Sequence, residues 1–87
     1  MLKADYHRNF YKDYKNLHVG IQSAFDKRLG EFLQNPKSPL LYDHSLKGHM
    51  KGKRSFSVTG DVRTIYRYLD EQNVLLLRVG PHNKVYG

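Results

Sequence analysis

The sequence predicts an α+β domain in which two amino-terminal antiparallel helices pack on a twisted antiparallel sheet of about four strands. Three observations carry that expectation. Apolar residues recur at helical spacing up to Pro36, period-two and β-branched runs follow Arg54, and 87 residues leave room for one core, a single domain over 1–87.

Residues Leu2 to Tyr6 alternate weakly and read as a short edge strand. Asn9 then stands as a helix cap before Phe10, Tyr14 and Leu17, spaced i, i+4 and i+7. Past a break at Gly20, the residues Ile21, Phe25, Leu29, Phe32 and Leu33 keep helical spacing as far as Asn35-Pro36, which a helix does not readily enter. From Asn35 to Arg54 the chain mixes Pro36, Pro39, Gly48 and Gly52 with Lys37, Lys47, Lys51 and Lys53, a basic connection without a periodic core face. Loops of this kind carry function.

Ser55 to Thr59 alternates with period two, so Ser55, Ser57 and Thr59 share a side opposite Phe56 and Val58, and that hydroxyl side is expected to face solvent. Gly60-Asp61 supplies turn chemistry, and Val62 to Leu69 completes a hairpin. After a turn at Asp70 to Asn73, the run Val74-Leu75-Leu76-Leu77-Arg78-Val79 is apolar on both faces until Gly80-Pro81 ends it, as suits a central strand. Helices cover one face of such a sheet, and the other is expected to be open to a ligand.

Fifteen Lys and Arg against eight Asp and Glu give a net charge of +7, which makes polyanions, nucleic acid first, the partners to consider. With 39% hydrophobic and 13% aromatic residues the chain can still build a core. The absence of cysteine removes disulfides, thiolate zinc sites and cysteine nucleophiles together, and fits a reducing, cytoplasmic compartment. No apolar leader or long apolar run supports secretion or a membrane span. Internal repeats, GxGxxG, P-loop and GxSxG patterns are missing, and His44 and His49 lack metal-site spacing, so neither metal nor cofactor is expected.

The polar groups cluster late in the chain. RNA carries its own nucleophile, the 2′-hydroxyl, so cleavage needs only alignment, a proton acceptor, a proton donor and a cation on the phosphate. Histidine suits both proton roles, with an ordinary pKa of about 6.5, and arginine suits the phosphate. His44, His82 and Arg78 are therefore the leading trio. Each also has a purely structural reading: His44 as a loop brace, His82 as a turn residue, Arg78 as half of an ion pair, Asp61 as a turn former and Tyr86 as a core anchor. Lys47, Lys51, Lys53 and Arg54, set among two glycines, suit the approach of a phosphate backbone.

Tyr42-Asp43-His44-Ser45-Leu46-Lys47-Gly48, Gly52-Lys53-Arg54-Ser55, Gly60-Asp61-Val62-Arg63-Thr64-Ile65-Tyr66 and Leu77 to Tyr86 together resemble the YafQ branch of the RelE/ParE toxin superfamily, closely over residues 40–87 and loosely over the rest. The resemblance implies the toxin of a type II toxin–antitoxin pair, an endoribonuclease that cuts messenger RNA on the ribosome and is neutralised by an acidic antitoxin. It also implies two helices on an antiparallel sheet. By position, His44 matches the histidine of a D-H-x-L-x-G block, Asp61 the acidic residue after the first hairpin strand, and His82 the histidine of a G-x-H block. Arg78 matches a phosphate-binding arginine, and Tyr86 a terminal aromatic that helps hold a base. The chain departs from the pattern at Ser57, where that branch commonly has a further histidine; His49, Ser57 and Arg63 are then accessory candidates.

The expected reaction has Asp61 or His44 as base, His82 as acid and Arg78 on the phosphate, leaving a 2′,3′-cyclic or 3′-phosphate. Two other classes stand beside it: a ParE-like toxin that inhibits a protein such as DNA gyrase without cutting RNA, and a degenerate RNA-binding module.

Overall fold

The computed structural model describes residues 1–86. Strand β1 (Lys3–Tyr6) leads into helices α1 (Arg8–Lys15) and α2 (Val19–Gln34). A 3-10 turn at Pro39–Leu41, strand β2 (His44–Ser45) and a second 3-10 turn at Gly48–Met50 follow. Strands β3 (Arg54–Ser57), β4 (Val62–Tyr68) and β5 (Asn73–Pro81) and a short helix α3 (His82–Tyr86) complete it. One five-stranded sheet runs in the order β1-β5-β4-β3-β2.

The α+β class and the two helices on one sheet face match expectation, and so does β5 as a central strand that ends at Pro81. The strand count and direction do not. The sheet has five strands, because His44 and Ser45 pair with Ser55 and Arg54 inside the segment expected to be an irregular connection. Nor is it wholly antiparallel: β1 lies parallel to β5, with Lys3 opposite Asn73 and Tyr6 opposite Leu76. The helical pair carries the chain from β1 across to β2 at the opposite edge of the sheet, and the antiparallel run from β2 to β5 then returns to lie beside β1.

Both helix starts differ from expectation by a residue or two. The cap of α1 is His7, whose Nδ1 accepts from the Asn9 backbone N–H at 3.0 Å. That of α2 is His18, whose Nδ1 accepts from Gly20 N–H at 3.1 Å, so Gly20 lies within the first turn and is no break. A neutral imidazole nitrogen does here what a Ser or Asp oxygen usually does.

The core is aromatic. Phe32 meets Phe56 and Tyr66 at centroid separations of 4.7 Å each, and Phe25 meets Phe10 at 5.2 Å. Tyr14 takes the Gln22 side chain on its carbonyl and donates its hydroxyl to Asp26 at 2.9 Å, which sets α1 antiparallel to α2.

The sheet's far face is not fully open. Val85 and Tyr86 of α3 lie over it, and Ser55, expected at the solvent side, is completely buried there. Its hydroxyl accepts from Tyr86 Oη at 2.6 Å. The period-two reading placed Ser55 on the correct face; what it lacked was the five-residue helix that returns to cover that face. Among the described residues no helix is long and apolar enough to cross a membrane.

Candidate active site

Strand alternation puts His44, Ser55, Ile65 and Arg78 in one row across β2, β3, β4 and β5, on the face away from α1 and α2. Ser57, Arg63 and Gly80 form the next row. Residues distant in sequence thus meet on one surface. Arg54 is one residue out of phase, opposite Tyr66, and points to the helix side.

At the end of the sheet, Asp61 is exposed in the β3–β4 turn, and its backbone carbonyl accepts from the His82 N–H at 3.1 Å. The turn itself is shaped by Thr59, whose Oγ1 accepts from Asp61 N–H at 3.4 Å and Val62 N–H at 3.1 Å. Asp61 is therefore not the side chain that forms the turn. His82 opens α3, and its ring meets that of Tyr86 edge-on at 4.3 Å. Asp61, His82, Tyr86 and Ser55 make a continuous line of contacts, with His44 opposite Ser55 in register.

Arg78 sits at the other flank. Past Tyr6 the β5 edge has no strand beside it, and Asp13 of α1 closes that gap. Its carboxylate, 5% exposed, accepts from Arg78 Nε at 2.6 Å, Arg78 Nη2 at 3.1 Å and the Val79 backbone N–H at 3.1 Å. Hydrogen bonding to Asp13 holds the guanidinium firmly charged, against the smaller opposing effect of burial. Both readings of Arg78 thus bear on its surroundings: it is ion-paired, and the rest of its side chain lines a groove with His49, Lys53, Arg67 and Tyr86. Tyr86 borders the His82 cluster and this groove alike.

A second cleft, of about 680 Å³, lies beyond β3 and is lined by Arg28, Tyr42, His44, Ser57 and Arg63. Arg63 is partly used, since its Nη1 donates to the Thr59 carbonyl at 2.9 Å. Between the cleft and the core, Asp43 accepts from Arg54 Nε at 2.8 Å and from the Tyr66 hydroxyl. Burial, then the Asp43 carboxylate, push the Tyr66 phenol well above its ordinary range.

The basic cluster expected in the loop is divided. Lys47 and Lys51 are exposed and Lys53 enters the Arg78 groove, whereas Arg54 is committed to Asp43. No group of three or more His, Cys, Asp or Glu converges as a metal site among the described residues. Asp13, Asp43 and Tyr42 escaped the sequence reading. A signal for Asp13 existed: it lies three residues after Phe10 on the apolar side of α1, where a carboxylate needs a partner.

Against known proteins, the family model described as the bacterial toxin of type II toxin-antitoxin system, YafQ, matches residues 2–87. No curated protein matches in sequence. Among solved structures, YafQ from E. coli strain BL21(DE3) is 25% identical with a TM-score of 0.73, covering 100% of both chains. The E. coli DinJ–YafQ complex gives 26% identity and a TM-score of 0.70, again over 100% of each chain. The toxin–antitoxin complex RelBE2 from Mycobacterium tuberculosis, 23% identical over 93% of this chain and 98% of that one, shares the fold with a TM-score of 0.78. With the family match running through nearly every residue, including those that line both clefts, this chain belongs to the YafQ family of bacterial toxins of type II toxin–antitoxin systems.

Proposed function

We propose that the chain is a metal-independent endoribonuclease that cleaves messenger RNA on the ribosome and is neutralised by an acidic antitoxin. One observation supports the reading: Asp61 meets His82 through its backbone carbonyl, His82 meets Tyr86 and Tyr86 meets Ser55, next to His44 in strand register, so candidate residues from separate segments lie on one sheet face.

In this reaction the 2′-oxygen forms a bond to the adjacent phosphorus as the bond from phosphorus to the 5′-oxygen breaks. His44 or Asp61 accepts the 2′-hydroxyl proton, and His82 donates one to the departing 5′-oxygen. The first strand ends in a 2′,3′-cyclic phosphate, which water can open to a 3′-phosphate. Arg78 steadies the charged phosphate: Asp13 takes bonds from Nε and Nη2 and fixes the plane, which leaves Nη1 for a phosphate oxygen. Tyr86 supports His82 and borders the groove in which Lys53 and Arg78 would meet the backbone, with Lys47 and Lys51 adding charge around it.

The net charge of +7 suits an acidic antitoxin, and relatives solved as the DinJ–YafQ complex and the RelBE2 toxin–antitoxin complex support such a partner. A second reading, binding without cleavage, is favoured by one feature: Ser57 lines the cleft where the resemblance calls for an imidazole.

Purified chain incubated with translating ribosomes and a defined message, with and without a chelator, separates the two. We expect chelator-resistant cleavage, mapped as new 5′ ends, that His82→Gln slows by about 10²-fold. Folded protein that binds RNA or ribosomes and leaves the message intact would replace the nuclease reading with the binding one.

A further inference from the structure

Tyr42 has two properties that core packing does not explain. Its backbone is left-handed, at φ 48 and ψ 38, the one described non-glycine residue with a positive φ. Its side chain is 74% exposed. A 3-10 turn that closes in this conformation is ordinarily served by glycine or asparagine, since a Cβ is disfavoured there. Strained backbone of this kind persists where its surroundings hold it, often beside a functional group.

The neighbours do hold it. Leu41 is wholly buried in the core, and Asp43 is tied to Arg54 and to Tyr66. Between two such anchors Tyr42 has little freedom. Its carbonyl turns back on the next exposed side chain and lies 3.0 Å from His44 Nδ1. A carbonyl oxygen only accepts, so Nδ1 carries the hydrogen, and in the neutral ring the unprotonated nitrogen is then Nε2. That ring lines the cleft with Ser57 and Arg63.

We infer that Tyr42 is a positioning residue, whose left-handed backbone locks His44 in the Nδ1–H tautomer and leaves Nε2 as the nitrogen that accepts a 2′-hydroxyl proton. The inference rests on the nuclease reading for its chemical purpose, while the tautomer itself can be measured without RNA. It chooses between the two base candidates, His44 and Asp61. Asp61 then serves as the anchor of His82 through its backbone carbonyl.

The test is a two-bond proton–nitrogen correlation spectrum of ¹⁵N-histidine-labelled protein at about pH 8, above the ordinary imidazole pKa of about 6.5. Wild type should show His44 as the Nδ1–H tautomer. Tyr42→Gly, which keeps the left-handed turn at no steric cost, should keep that tautomer; Tyr42→Val, whose branched side chain disfavours the turn, should lose it. Position 42 is exposed, so both variants should remain folded, with unchanged amide signals for remote core residues such as Phe10 and Leu76. In the ribosome assay Tyr42→Val should cleave about fivefold more slowly than Tyr42→Gly, the scale of one hydrogen bond. An Nε2–H tautomer in wild type, or a folded Tyr42→Val with an unaltered His44 pattern, overturns the inference. If the tautomer behaves as stated but His44→Gln cleaves at the full rate, the tautomer lock stands and the assignment of His44 as base falls.

Discussion

Single side chains show how closely acid–base chemistry and stability are linked in this fold. The Tyr66 hydroxyl is buried against Asp43, and its pKa is raised by burial first and by that carboxylate second. The unfolded phenol ionises near pH 10, so the folded state holds its proton more tightly; stability from this group is complete below about pH 10 and is lost as pH rises beyond it. Tyr66→Phe should therefore remove about 1.4 kcal/mol of the stability lost between about pH 8 and pH 11, read as the difference in urea unfolding free energy between variant and wild type. Ser57 is the complementary case, a small hydroxyl on the candidate site's face, paired with Arg63 across the strands. Ser57→His restores an imidazole to the cleft beside His44, and we expect single-turnover cleavage to rise about tenfold. An unchanged rate would mean that the present groups already saturate proton transfer.

Elements were legible where a pattern was long and illegible where the deciding partner was remote. Phe25, Leu29 and Phe32 mark α2 by their helical spacing, and the unbroken apolar run from Val74 to Leu77 marks β5 as an interior strand, because burial of each element is written into its own residues. Two residues cannot display a period, so β2 was invisible; its existence depends on β3 offering an edge to His44 and Ser45. The parallel placement of β1 was equally hidden, since nothing in Lys3–Tyr6 names β5 as its neighbour. At the candidate site, His44, Asp61 and His82 stand out in the sequence as residue types in spaced blocks, whereas Asp13 and Asp43 act through contacts that only the fold creates. The cap of α1 falls at His7 rather than Asn9, and α2 begins before Gly20, because histidine is an uncommon cap. His18→Ala should cost about 1 kcal/mol by removing the acceptor for Gly20 N–H. His18→Asp should be at least as stable as wild type, since it keeps an acceptor and adds negative charge at a helix start; urea midpoints of the three proteins decide this.

Charge acts at the scale of the whole molecule. Of the loop cations, Lys47 and Lys51 are exposed and Lys53 lines the Arg78 groove, whereas Arg54 is tied to Asp43 on the helix side of the sheet. Replacing the three lysines by alanine should lower affinity for single-stranded RNA uniformly across sequences. It should also flatten the dependence of log binding constant on log salt by about 2, from roughly 0.7 per phosphate contact. If Arg54→Ala alone changed that slope as much as a lysine does, the Asp43 pair would not persist when RNA binds. The parallel pairing of β1 with β5 bears on how such a molecule comes into being. Lys3 waits for Asn73, so the first strand made has no neighbour until most of the chain exists, and residues 82–86 come later still. The candidate site is thus completed last, when β5 and α3 bring Arg78, His82 and Tyr86 to the face that holds His44 and Ser55.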